Sequence, residues 1–81
     1  MFHLFLWDFE PDGNVEHIAE HGLEPDDVEY AFNDILSEAT SRSSGRPAIY
    51  GLTPDGRVIF VVFEEIDDRL IYVITAFEYE E

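Results

Sequence analysis

Two segments of this chain, 58–63 (VIFVVF) and 70–77 (LIYVITAF), are apolar at nearly every position. A strand with one wet face alternates apolar and polar residues, so unbroken apolar runs mark strands covered on both faces. Turn residues flank them: Pro54-Asp55-Gly56 before the first, and Asp67-Asp68 between the two. The spacing therefore predicts an antiparallel meander of strands at 48–53, 57–63 and 70–77.

The constraint is severe because the chain has 81 residues and no cysteine. Such a length makes one domain, residues 1–81, with a small core and no disulfide or thiolate metal site to support it. Upstream of the meander, FHLFLW at 2–7 reads as a first strand, ended by the polar stretch from Asp8 through Pro11, Asp12 and Gly13. Val15, Ile18 and Ala19 then fall at helical spacing over 14–21, with Asp12 or Asn14 as cap and Gly22 placed for a left-handed C-terminal residue. Residues 24–35 give a second helix. Pro25 suits its first turn, Asp26 and Asp27 suit its positive end, and Val28, Ala31, Phe32 and Ile35 form its apolar stripe. Leu23 is placed to pack on Val28 as a hydrophobic staple. The Ser-rich segment 37–47 has room for a short edge strand and then a loop.

The expected class is α+β: an N-terminal strand and two helices packed on one face of a four- or five-stranded, mainly antiparallel sheet. Two short helices cover one face of such a sheet. Nothing left in the chain covers the other, so a second chain, a copy or a dedicated partner, is expected there.

Charge narrows the function. Nineteen Asp and Glu oppose four Arg and no Lys, a formal net charge of −15. Nucleic acid is held mainly by Lys and Arg neutralising phosphates, so this surface repels it unless Arg42, Arg46, Arg57 and Arg69 converge. A solubility role, as in a high-salt cytoplasm, explains such acidity more simply than nucleic-acid mimicry. No apolar run approaches the ~20 residues that span a bilayer, and no basic region precedes the N-terminal apolar stretch, so a soluble, cytoplasmic protein is expected.

His17, Glu20 and His21 spell H-x-x-E-H, a zinc-peptidase pattern. Two histidines at i and i+4 reach one ion, but the domain is too small for a peptidase cleft and no distinctive third ligand stands out. The plainer reading places His21 at the carbonyls and negative dipole end of the helix, with His17 flanking the core; no metal and no cofactor is expected. SRSSGR at 41–46 has a composition able to hold an anion through guanidinium groups and backbone N–H, or to form a solvated linker. Tyr50, Tyr72 and Tyr79 read as strand residues with hydroxyls at the rim.

Trp7-Asp8, NVEHIAEHGLEPDDVEYAF at 14–32, GRPAIYGLTPDGRVIFVVF at 45–63 and YVITA at 72–76 together resemble the BrnT toxin family, in the RelE-like superfamily of bacterial type II toxin–antitoxin systems. The resemblance covers almost the whole chain and implies a RelE-like fold. It also implies a ribosome-independent RNA-cleaving toxin, neutralised by an antitoxin that covers it and often binds operator DNA. In such cleavage a 2′-hydroxyl attacks phosphorus, arginines stabilise the growing charge, and a histidine, tyrosine or carboxylate moves protons. Carried over by position, His21, Arg46 and Arg57 are the implied catalytic residues, with Arg42 as a substrate-binding contributor.

The chain departs from the family at Tyr72 and Phe77, where members usually carry arginine, and at Glu20, where a basic residue is common. It also ends in Glu78-Tyr79-Glu80-Glu81, where members continue into an Arg-rich tail. Each missing oxyanion donor costs about 10²–10³ in rate. The expectation is therefore a toxin-like component with weak or lost ribonuclease activity, little RNA affinity, no direct DNA contact, and an antitoxin or a second copy over the open sheet face. The competing expectation is a noncatalytic protein-binding or homo-oligomerising module on the same fold.

Overall fold

The computed structural model describes residues 3–80, and seven elements form among them. In chain order they are β1 (Leu4–Leu6), α1 (Asn14–Ala19), α2 (Pro25–Phe32), β2 (Ile35–Thr40), β3 (Pro47–Leu52), β4 (Val58–Glu65) and β5 (Leu70–Glu78). The five strands make one sheet in the order β1-β5-β4-β3-β2, with β1 parallel to β5 and every other pairing antiparallel. The α+β class and the mainly antiparallel sheet are thus as the residue pattern requires. Among the described residues no helix is long and apolar enough to cross a membrane.

Both helices lie on one face. Ile18, Leu23, Val28 and Ala31 from the helical layer join Ile49, Ile59, Val61, Ile71, Val73 and Ala76 from the sheet in one buried cluster. Leu23 and Val28 are both fully buried in it, as the expected staple requires. Gly51 sets how closely the layers meet, because a Cβ there would lie 2.6 Å from the carbonyl oxygen of Ala31 in α2. Only a residue without a side chain lets the helix backbone approach β3 this far.

Val73 and Ala76 are both completely buried although they stand three apart, which a regular strand forbids. A register shift against β4 between Val62 and Phe63 inserts the extra residue, so that Phe63 pairs with Val73 and Val61 with Ala76. This bulge re-phases β5 and keeps its inward residues in the core along its whole length.

Several expected boundaries move. Phe2, the expected start of the first strand, and Glu81 of the acidic tail lie outside the described residues. Trp7 leaves the ladder, stacks on Phe5 at 6.1 Å and donates its indole N–H to Glu29 Oε2 at 2.7 Å, so β1 closes at Leu6. Helix α1 stops at Ala19 because Gly22, at φ 78°, reverses the chain. Leu23 N–H then reaches Ile18 O and Gly22 N–H reaches Ala19 O, the Schellman arrangement. Helix α2 ends at Phe32, and Ile35, expected in its stripe, instead begins the edge strand β2, where it is 40% exposed.

The cap of α1 differs too. Gly13 is the cap and makes no side-chain bond, whereas Asn14 is buried inside the fold. Its Nδ2 donates to Leu6 O and to Val73 O, both at 3.0 Å, while its Oδ1 accepts the Asp8 N–H at 2.7 Å. One amide thereby joins the end of β1, the start of α1 and the middle of β5. In α2, Glu24 N–H donates to Asp27 Oδ2 at 2.9 Å, closing the first turn over Pro25.

The apolar runs of β4 and β5 are covered fully on the helical side and only partly on the other. Tyr50, Phe60 and Phe77 form a cross-strand row on the open face, in register across β3, β4 and β5. Their ring centroids are 4.8 Å and 5.6 Å apart, and Tyr79 closes on Tyr50 at 5.0 Å. These rings shield one another, yet Phe77 is 37% exposed, and on β1 Leu4 and Leu6 are 51% and 46% exposed.

Candidate functional site

The hairpin loop between β2 and β3 carries two of the four residues assigned to a site from the sequence, Arg42 and Arg46. Ser41 N–H donates to Arg46 O and Gly45 N–H to Ser41 O, each at 2.8 Å, with Gly45 at φ 73° making the reversal. Two of the amides that were candidates for an anion are therefore bonded within the loop. The guanidinium groups remain. Arg46 reaches Glu64 at 3.7 Å with both side chains well exposed, a weak contact in water. Arg42 makes no ion pair among the described residues.

The loop and the aromatic row together line an open concavity of about 520 Å³. Its floor is Tyr50, Phe60, Val62 and Phe77, and its rim includes Arg42 and Arg46. The composition is that of an interaction surface: aromatic side chains in the centre and a small number of cations at the edge. Phe60 and Phe77 escaped the sequence reading as site residues, because in an unbroken apolar strand the inward and outward positions look alike. The signal that would have found them is the phase of the aromatics Tyr50, Phe60 and Phe77 against the aliphatics Ile49, Val61 and Ala76.

Arg57 lies outside this concavity. Its Nε meets Asp55 Oδ2 at 3.0 Å, one terminal nitrogen lies 3.7 Å from Asp27 and the other 3.8 Å from Glu78. This guanidinium joins the β3–β4 turn, the first turn of α2 and the end of β5. The hydroxyl of Thr53 and then the Arg57 guanidinium hold the Asp55 carboxyl below its ordinary range, and Asp55 in turn raises Arg57. A guanidinium ringed by three carboxylates is in no position to accept a phosphate, since a second anion must first displace them.

The histidines occupy the edge of the helical layer. His17 Nε2 is 3.0 Å from Thr75 Oγ1, and the His17 and His21 rings are 5.6 Å apart. The last-turn carbonyls expected to engage His21 are taken by backbone amides, and its ring instead lies 6.1 Å from Phe77. Among the described residues no group of three or more His, Asp or Glu side chains is arranged to hold a metal ion, so the H-x-x-E-H spacing has no third ligand.

The four residues implied by the resemblance are therefore only partly brought together. Arg42 and Arg46 share the concavity, His21 lies outside its lining with its ring 6.1 Å from that of Phe77, and Arg57 is held elsewhere by acids. Among the described residues no hydrogen bond joins a histidine or tyrosine to an arginine, so no pairing of proton carrier and charge stabiliser is assembled. What the face presents is an apolar contact surface with a cationic corner. Comparison with protein-family models, curated proteins and solved structures finds no match to this chain.

Proposed function

We propose that this chain is a BrnT-like domain of the RelE-like type, a toxin-like component of a bacterial type II toxin–antitoxin pair whose ribonuclease activity is weak or lost. The observation that carries the reading is the state of Arg57: the guanidinium best placed by resemblance to stabilise a phosphoryl transition state is engaged by Asp55, Asp27 and Glu78. With Tyr72 and Phe77 standing where the family's arginines would be, about 10⁴-fold or more of transition-state stabilisation is absent. The part of the role that remains is binding a protein over the open sheet face.

A second reading, a noncatalytic module that associates with itself, is favoured by one observation: the exposure of Phe77 on β5 and of Leu4 and Leu6 on β1. Incubating the purified chain with a generic single-stranded RNA tests the first reading. Cleavage is expected to be absent or slight, and little changed in Arg57→Ala. Cleavage at rates that arrest growth, abolished in Arg57→Ala, would overturn it.

A further inference from the structure

The open sheet face is apolar, but its rim is divided. The β2–β3 loop and the β4–β5 turn lie at the same end of the sheet, because both antiparallel hairpins close there. One corner of that end carries Arg42 and Arg46 over the aromatic floor. The opposite corner carries Asp67 and Asp68 with Arg69 between them and Leu70, beside Leu4, an excess of one negative charge. The chain as a whole carries a formal net charge of −15.

We infer that this face docks a separate polypeptide of net positive charge, which lays apolar side chains over Tyr50, Phe60 and Phe77, sets a carboxylate at Arg42 and Arg46, and directs cations toward Asp67 and Asp68. The inference rests on the reading above and adds to it the partner's chemistry and orientation. Three alternatives fit less well. A second copy brings −15 against −15. Acidic groups within about one Debye length of such a contact, ~8 Å at physiological salt, repel across it. A single strand of nucleic acid needs a tract of cations and flat stacking platforms. Here two arginines stand at one corner and Arg69 among acids at the other, and the rings are tilted 50° and 47° against one another. An acidic peptide would gain at the arginine corner and be repelled elsewhere.

Charge also explains why the arginine corner exists. A uniformly acidic rim attracts any basic segment in any direction, whereas a rim with one cationic corner penalises the reversed orientation. Arg42, which makes no ion pair among the described residues, is the strongest element of that discrimination.

Three short peptides test the inference: alternating Leu and Lys; the same peptide with two terminal lysines replaced by Glu; and a Ser/Lys peptide with the charge of the first. Calorimetric titration, with circular dichroism to verify folding of every variant, is expected to rank the Glu-tipped peptide above the all-Lys one despite its smaller charge. The Ser/Lys peptide binds about tenfold more weakly or less, because it has no apolar surface to bury. Arg42→Glu reverses the order of the first two, and Phe77→Ser weakens both. Affinity that follows net charge alone, with Ser and Leu equivalent, would overturn the inference. So would a dimer at physiological salt whose open face is protected from peptide. An RNA-cleaving chain that still ranks the peptides in this order removes the reading of lost catalysis and leaves the docking surface standing.

Discussion

Replacing Asn14 by Ala removes three hydrogen bonds at once, those to Leu6 O, Val73 O and from Asp8 N–H, at a side chain that is 3% exposed. Each bond contributes about 1 kcal/mol net, a loss that rises to about 1–3 kcal/mol where the partner left behind is buried away from water. Water reaching the Asp8 end recovers part of this, leaving about 3–4 kcal/mol, against a total stability for this length of about 4–12 kcal/mol. Urea unfolding followed by Trp7 fluorescence is expected to show the midpoint lowered with an unchanged slope.

Asn14→Asp sharpens the test. The carboxylate still accepts the Asp8 N–H but faces two carbonyl oxygens, and only its protonated form donates to one of them. The folded state therefore holds the proton more tightly than the unfolded state, in which the carboxyl titrates near ~3.9. With the folded value raised, the variant loses stability relative to wild type as pH rises above about 4, and the gap narrows on acidification. A cost below about 1 kcal/mol for Asn14→Ala, or an Asn14→Asp deficit independent of pH, would refute the role given to this amide.

Gly51→Ala is expected to cost about 1–3 kcal/mol, read from the denaturation midpoint, because its Cβ meets the Ala31 backbone oxygen rather than a side chain that can move aside. Arg57→Met is expected to lower the midpoint in dilute buffer and to have a smaller effect in concentrated salt, as partly exposed ion pairs do. Since the Asp55 carboxyl is held low in the folded chain, its contribution is present above about pH 4 and is lost as pH falls through the lowered value. Arg57→Met reduces that acid sensitivity without abolishing it, because the Thr53 hydroxyl, the largest cause of the shift, remains. An acid unfolding profile identical to wild type would contradict the arrangement.

The elements were legible where local chemistry forced them. Pro25 with Asp27 opens α2, Gly22 at positive φ closes α1, and Gly56 at φ 87° turns β3 into β4. Ile35 was misread because an apolar residue at helical spacing carries the same signal whether the chain continues as helix or restarts as strand. Asn14 was misread because an Asn before an apolar run is the commonest cap, and nothing local shows that β5 passes beside it. For the site, the clustering of Arg42 and Arg46 was visible as composition. The capture of Arg57 was not, because Asp27, Asp55 and Glu78 are far apart in sequence and meet only when the sheet closes on α2.

Sequence alone determined that 58–63 and 70–77 had to be strands and that two helices could shield only one face of their sheet, since apolar pattern and chain length set how much surface can be buried. Tertiary structure decided which apolar residues went inward. A single bulge at Val62/Phe63 shifts the phase of β5, sending Val73 and Ala76 to the core and leaving Phe77 on the open face. It also decided that three carboxylates occupy Arg57 while Arg42 and Arg46 overlook the aromatic row. Those outcomes depend on distances between segments far apart along the chain, which side-chain identity and spacing do not contain.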